Sequence, residues 1–363
     1  MKRVVAGIAG LLLATSAFAD VSVLESSRLA KIRAKEKQKK ENRQNLLVGN
    51  NFADQELVDA AGVKYFINTD LPFSTTSSGS GAATNAAFAG PVNADTSGGG
   101  TASVTFDDAF NGYNSLCVSL TGATGPCDIG DSNYTLYTQN GAASLECDGR
   151  QVINPVQTIG SIQVQRKIYV PDTDQFARWL NIFTNTGGAS QSVTAVIVNN
   201  LDSQENTTIV SSSNGNATAD LTDSWITTDG NFTPADGNDP RLGHIIQGPG
   251  ARNPVSSLTF PGGLAADLPT WAYTFTLAPG ETKVIANYVT VQATRAAAIA
   301  QSQAISGLGG SALACLSASE RSNIVNFEAR GVTEIPTAST YGLIALALLL
   351  AGASFFVMRR RTA

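Results

Sequence analysis

From Ser161 to Val170 apolar and polar residues alternate, with Ile162, Val164, Ile168 and Val170 on one side and Gln163, Gln165, Lys167 and Tyr169 on the other. A period of two over that length predicts a strand with one buried face. Pro171-Asp172-Thr173-Asp174 is turn chemistry. Phe176 to Thr184 reads as the next strand, Asn185-Thr186-Gly187-Gly188 turns it, and Gln191 to Leu201 runs back. Together the three predict an antiparallel meander. Further strands are predicted at Val63 to Asn68, Ala102 to Phe106, Tyr134 to Gln139, Ala143 to Cys147, Thr207 to Ser212, Trp225 to Thr228, Thr270 to Leu277 and Thr282 to Val291. Ala278-Pro279-Gly280-Glu281 joins the last two as a tight hairpin. Trp271, Tyr273, Phe275 and Leu277 share one side of their strand and are expected to face the core.

Long Gly/Ser/Asn/Asp stretches, such as Ser74 to Gly100 and Thr227 to Gly243, read as loops. Ala293 to Ser306 and Gly310 to Ser322 shift to Ala, Leu, Gln and Ser and predict two short helices, followed by a strand-like Asn323 to Ala329. The pattern implies an all-β fold: a large antiparallel β-sandwich with two short helices near its C-terminal end. The body, residues 48–331, is either two sandwiches in tandem or one enlarged sandwich.

The ends carry different patterns. Met1-Lys2-Arg3, an apolar run from Val4 to Ala14 and the triplet Ala17-Phe18-Ala19 predict a secretory signal over residues 1–19, cleaved after Ala19. Tyr341 to Met358 holds eighteen residues without a charge. As a helix it is about 27 Å long, close to the hydrocarbon thickness of a bilayer. Arg359, Arg360 and Arg361 follow, and clustered arginines stay cytoplasmic. The expected topology has the body outside the cytoplasm, a transmembrane helix at 341–358 and a basic tail at 359–363.

The linker 332–340 contains Ile335-Pro336-Thr337-Ala338-Ser339-Thr340, followed by Tyr341-Gly342. This motif, one apolar span and a terminal arginine cluster resemble the C-terminal sorting tails of Gram-negative envelope proteins. Within them it is most similar to the IPTL-CTERM type. Ile335, Pro336, Thr337, Ser339 and Gly342 match that pattern, Tyr341 keeps its aromatic character, and Ala338 and Thr340 depart from it. The resemblance implies the secretion machinery and a membrane-embedded sorting protease as partners, with transfer to the cell surface or its polysaccharide. The segments RKIYVP, NIFTNTG and LAPGET resemble the large β-sandwiches of the galactose-mutarotase-like superfamily. That resemblance implies fold, and for some members association with glycan enzymes.

Charge divides the chain. Asp20 to Leu47 has eight Lys/Arg and four Asp/Glu, whereas Val48 to Met358 has eleven and 25. A basic leader, helical or disordered, thus precedes an acidic body, and the acidic body argues against nucleic acid. Cys117, Cys127, Cys147 and Cys315 all lie in the exported part, and an even count predicts disulfides. Three pairings exist. Cys117 with Cys127 is favoured because the chain between them reads as strand, turn and return, which leaves Cys147 with Cys315.

Catalytic chemistry has few carriers. His244 is the only histidine, no G-x-S-x-G elbow surrounds a serine, and the glycine runs lack a phosphate-loop lysine. A structural His244 is expected. Two carboxylates can cleave a glycosidic bond, but sequence selects no pair. Arg178-Trp179 and Trp225 suit either a sugar site or core packing. Asp229, Asn231, Asp236, Asn238 and Asp239 interleave oxygen ligands with glycine and point to calcium. Asn-x-Thr sequons at Asn133, Asn206, Asn216 and Asn231 fit the composition alone. The expected function is a non-enzymatic envelope protein, structural, adhesive or associated with extracellular polysaccharide. A glycan-processing enzyme is the rival.

Overall fold

Period-two sequences become strands only where a second apolar layer covers them, and here two sheets cover each other. The computed structural model describes residues 54–68, 81–96, 99–124, 127, 132–138, 143–201, 203–230 and 239–329. The predicted signal, leader, linker, transmembrane span and basic tail lie outside these residues. Among the described residues no helix is long and apolar enough to cross a membrane.

The first sheet contains β1 (Asp54–Val58), β2 (Val63–Asn68), β3 (Ala83–Phe88), β6 (Phe110–Ser119), β7 (Thr135–Leu136), β13 (Gln191–Leu201), β17 (Ser257–Thr259) and β18 (Thr270–Leu277). Its order is β1-β2-β3-β6-β13-β18-β17, with β7 also on β6. The second contains β8 (Ser144–Glu146), β9 (Gln151–Ile153), β10 (Gln157–Ile159), β11 (Ile162–Tyr169), β12 (Ala177–Asn185), β14 (Thr208–Ser212), β15 (Trp225–Asp229), β16 (Arg241–Ile245) and β19 (Thr282–Gln292). Its order is β14-β15-β16-β19-β12-β11-β9-β8, with β10 also on β11. A small hairpin, β4 (Val92–Asp95) with β5 (Thr101–Val104), stands apart as its own two-stranded sheet.

One apolar core joins the inner faces. It contains Leu116, Val118, Ile197 and Phe275 from the first sheet and Val164, Trp179, Phe183 and Ile285 from the second. The Phe183 and Phe275 rings meet across the layers at 5.3 Å. Burying each such side chain stabilises the fold by roughly 2 kcal/mol. A shared core makes this one enlarged sandwich rather than two in tandem.

Two sequence expectations are corrected here. β11 and β12 pair antiparallel, with Ile162 opposite Asn185 and Tyr169 opposite Arg178. β13 does not continue that meander. It pairs with β6 and β18 in the other sheet. Likewise β18 and β19 lie in different sheets, so Ala278-Pro279-Gly280-Glu281 is a crossing between layers and not a hairpin. The two crossings lie side by side and Asn185 stitches them. Its Nδ2 donates to the carbonyls of Ala189 and Leu277, its Oδ1 accepts from Gly187, and its backbone bonds Gly280 and Glu281. Turn residues report that the chain reverses; which layer receives the next strand depends on faces that only packing assigns.

The outer face of the second sheet is covered by the chain itself. α1 (Arg295–Ser306), capped by Thr294, packs on β15, β16 and β19. A Cβ at Gly243 would lie 2.0 Å from Ser302 Oγ and 2.7 Å from Thr290 Cγ2, so glycine lets the helix approach this closely. α2 (Ala318–Asn323) is shorter than the predicted helix, and its N-terminus carries a capping box between Ser317 and Glu320. The strand-like region after it contributes a single bridge, Val284 to Ile324.

Candidate functional site

Tyr113 and Asn114 are neighbours on β6, yet both enter the sandwich. Asn114 has a φ of 60°, and β13 slips register against β6 between Val198 and Leu201. This is a β-bulge, a device that re-aims side chains. The Asn114 N–H is satisfied by Asn199 Oδ1 at 2.8 Å.

The bulge sends Tyr113 to the only histidine. The Tyr113 hydroxyl is 2.9 Å from His244 Nδ1, and Thr228 Oγ1 is 2.9 Å from His244 Nε2. His244 on β16 is fully buried, with Phe260 and Trp271 flanking the ring. Burial pushes its pKa down to about 3. The ring is therefore neutral; the Tyr113 hydroxyl ties it to the first sheet, and the Thr228 hydroxyl holds it to the neighbouring strand of its own sheet. With both nitrogens engaged it acts as a structural histidine, not as a base for an incoming substrate.

All three tryptophans are buried: Trp179, Trp225 and Trp271. The stripe Trp271, Tyr273, Phe275 and Leu277 faces the core as its alternation implied. Trp179 donates from Nε1 to the Gly81 carbonyl at 2.7 Å, and Tyr273 accepts from Asn287 at 2.7 Å. No tryptophan offers an exposed stacking surface for sugar.

Geometry does select a carboxylate pair. On the outer face of the second sheet, Lys167 Nζ lies 2.9 Å from Glu146 and 2.7 Å from Glu320. Gln151 donates to Glu146, and Arg178 donates to Gln151 and to the carbonyls of Ala312 and Ala314. Burial opposes ionisation of Glu320, but hydrogen bonds from Lys167 and Ser317 outweigh it and hold its carboxyl below the usual range. A general acid must keep its proton near neutral pH. Glu320 is moved the other way, so this trio is an ion-paired anchor for α2. The Cys147–Cys315 disulfide lies one residue from Glu146 and ties the same segment down. The second disulfide is Cys117–Cys127, so both favoured pairings are present.

Sequence reading passed over Asp59. Its Oδ1 accepts the N–H groups of Ala61 and Val63 at 2.9 and 3.0 Å, an Asx turn before β2. Burial pushes its carboxyl up to about 7, against those bonds, Tyr65 and the charge of Arg150. A lone Asp before a glycine turn carries no signal that distinguishes this from an ordinary surface turn.

The ends of the predicted calcium loop come together. Asp229 accepts from Thr208 at 2.8 Å and from Arg295, and a Cβ at Gly230 would lie 2.7 Å from Asp239 Oδ2. Asp95 on the β4–β5 hairpin completes a charge network with Arg241 at 3.0 Å and Arg295 at 3.6 Å. Asn231, Asp236 and Asn238 lie outside the described residues. Among those described, no group of three His, Cys, Asp or Glu residues is placed to hold a metal ion. Ala17, Ala19, Ile335, Pro336, Thr337, Ser339, Tyr341, Gly342, Arg359, Arg360 and Arg361 also lie outside.

No family model and no curated protein matches this chain. Solved structures similar to it include a galactose mutarotase-like protein from Lactobacillus casei ATCC 334, at 11% identity and a TM-score of 0.37 over 65% of this chain and 99% of that one. A putative aldose 1-epimerase from Escherichia coli K12 has 9% identity and a TM-score of 0.37, over 65% and 98%. A polysaccharide lyase has 14% identity and a TM-score of 0.35, over 64% of this chain and 32% of that one. This chain thus spans about a third of the lyase's length. The functional reading rests on residues and not on these likenesses.

Proposed function

We propose that the chain is an exported, membrane-anchored or surface-sorted envelope protein. Its β-sandwich serves a structural, adhesive or polysaccharide-associated role without catalysing a reaction. One observation carries the reading: both cysteine pairs are disulfides, one closing over 168 residues, and such bonds persist in oxidising compartments. The signal pattern ending at Ala17-Phe18-Ala19 and the apolar span before Arg359 agree with that compartment. The neutral, enclosed His244 and the pairing of Glu146 and Glu320 with Lys167 support a display role over glycan chemistry.

The purified body should bind the organism's own extracellular polysaccharide, and added protease should reach it on intact cells. Absence of binding together with protection from protease would refute the reading. Calcium is part of the proposal, bound between Asp229 and Asp239 with oxygen atoms of Asn231, Asp236 and Asn238. Chelator should then lower the melting midpoint, with recovery on adding calcium but not magnesium. An unchanged midpoint removes calcium and leaves the display role standing.

A further inference from the structure

Inside the sandwich two carboxamides accept from one guanidinium, and a third asparagine is bonded to the same arginine through its backbone. Arg166 on β11 donates from Nε to Asn181 Oδ1 on β12 at 2.9 Å. From Nη2 it donates to the carbonyl and to Oδ1 of Asn114 on β6, each at 2.6 Å. Asn154 stands beside it, its backbone N–H on the Arg166 carbonyl at 2.9 Å. All four residues are fully buried. Among the described residues, the Nδ2 groups of Asn114, Asn154 and Asn181 have no hydrogen-bond partner, nor does Asn154 Oδ1.

Buried amide donors without acceptors are rare in folded proteins, because each loses its hydration and regains nothing. Here three occur on residues bonded to Arg166. Unused donor groups outnumber the unused acceptor three to one. What fits such a place accepts hydrogen bonds and carries negative charge. Water brings two donors of its own into a donor-rich, positive setting. Burial also lowers the Arg166 pKa to about 9. Room is small: a Cβ at Gly81 would lie 3.3 Å from Asn154 Nδ2. The bulge at Asn114, which has a φ of 60°, brings the first sheet's amide to this spot.

We propose that Asn114, Asn154, Asn181 and Arg166 form an internal binding site for a small monovalent anion of the halide class, chloride outside the cytoplasm. The anion would tie β6 to β11 and β12 and so couple the two sheets at a point where side chains alone leave donors idle.

The test melts the purified protein in sodium chloride, sodium bromide and sodium gluconate at equal ionic strength. Both halides should raise the midpoint saturably, by roughly 5 °C at saturation, and gluconate should not. Asn154→Asp supplies a carboxylate in place of the anion. Its midpoint in gluconate should reach or exceed that of the parent, and its halide response should disappear. Bromide-soaked crystals of the parent should show an anomalous peak beside Asn154 Nδ2, a readout that does not depend on the variant folding. Equal midpoints in all three salts, a full halide response in Asn154→Asp, or a crystal with no such peak would each overturn the site.

Discussion

Replacing Cys147 and Cys315 together with serine lowers the stability of the sandwich by about 5 kcal/mol, because a long loop is released in the unfolded chain. The two residues are 168 apart in sequence, and their bond joins the end of β8 to the stretch leading into α2. The same substitution at Cys117 and Cys127, only 10 residues apart, costs roughly 3 kcal/mol by the same entropy. The order of the two effects is the sharper expectation. Lys167 still holds Glu146 and Glu320 after the long bond is lost, and Arg178 still holds the carbonyls of Ala312 and Ala314. The segment should therefore loosen without leaving the sheet. Denaturant unfolding of both double variants decides the matter. A long-bond variant no weaker than the short-bond one would show that the constraint on the unfolded chain is not what stabilises this body.

Asp59→Asn and His244→Gln should tilt the pH dependence of stability in opposite directions. Burial lowers the folded pKa of His244 from 6.5 to about 3. The unfolded chain takes up that proton first, so His244's contribution is complete above 6.5 and is lost as pH falls toward 3. Burial raises the folded pKa of Asp59 from 3.8 to about 7. There the folded state keeps a proton that the unfolded chain has released. Its contribution is complete below 3.8 and is lost as pH rises through 7. Each contribution amounts to roughly 5 kcal/mol at most. Between about pH 4 and 6.5 the two slopes oppose each other and nearly cancel in the parent protein. Relative to the parent, Asp59→Asn should gain stability with rising pH across that window, at about 1.4 kcal/mol per pH unit. His244→Gln should lose stability with rising pH at a similar rate. Asparagine at 59 retains an oxygen for the Ala61 and Val63 N–H groups, so the change isolates the charge. Unfolding curves at half-unit pH steps measure both, and a flat difference for Asp59→Asn would mean that its carboxyl ionises freely in the folded state.

Strand existence was legible where alternation was strong. β2, β11, β13, β18 and β19 lie within a residue or two of their predicted spans, and the aromatic side of β18 is buried as expected. β3 (ATNAAF) and β4 (VNAD) lie inside a stretch that reads as loop. Alanine and asparagine have little strand preference, and Ala83 and Ala86 of β3 are buried because larger neighbours cover them. The candidate site was less legible than the fold. Glu146, Lys167 and Glu320 come from β8, β11 and α2 and are distant in sequence. No spacing rule connects them. His244 read as structural from its isolation, but its partners Tyr113 and Thr228 depend on a bulge that leaves no mark in composition.

By itself the amino-acid order determined that this chain is built of strands, that its aromatic stripe is internal, and that its cysteines pair. Those properties follow from local periodicity and from residue chemistry, which neighbours along the chain already express. Tertiary structure alone decided that β12 and β13 part company between two layers. It also placed a neutral histidine and a carboxamide-bonded arginine in the interior. Layer assignment and burial are set by contacts between segments from 52 to 131 residues apart, and such contacts have no local signature.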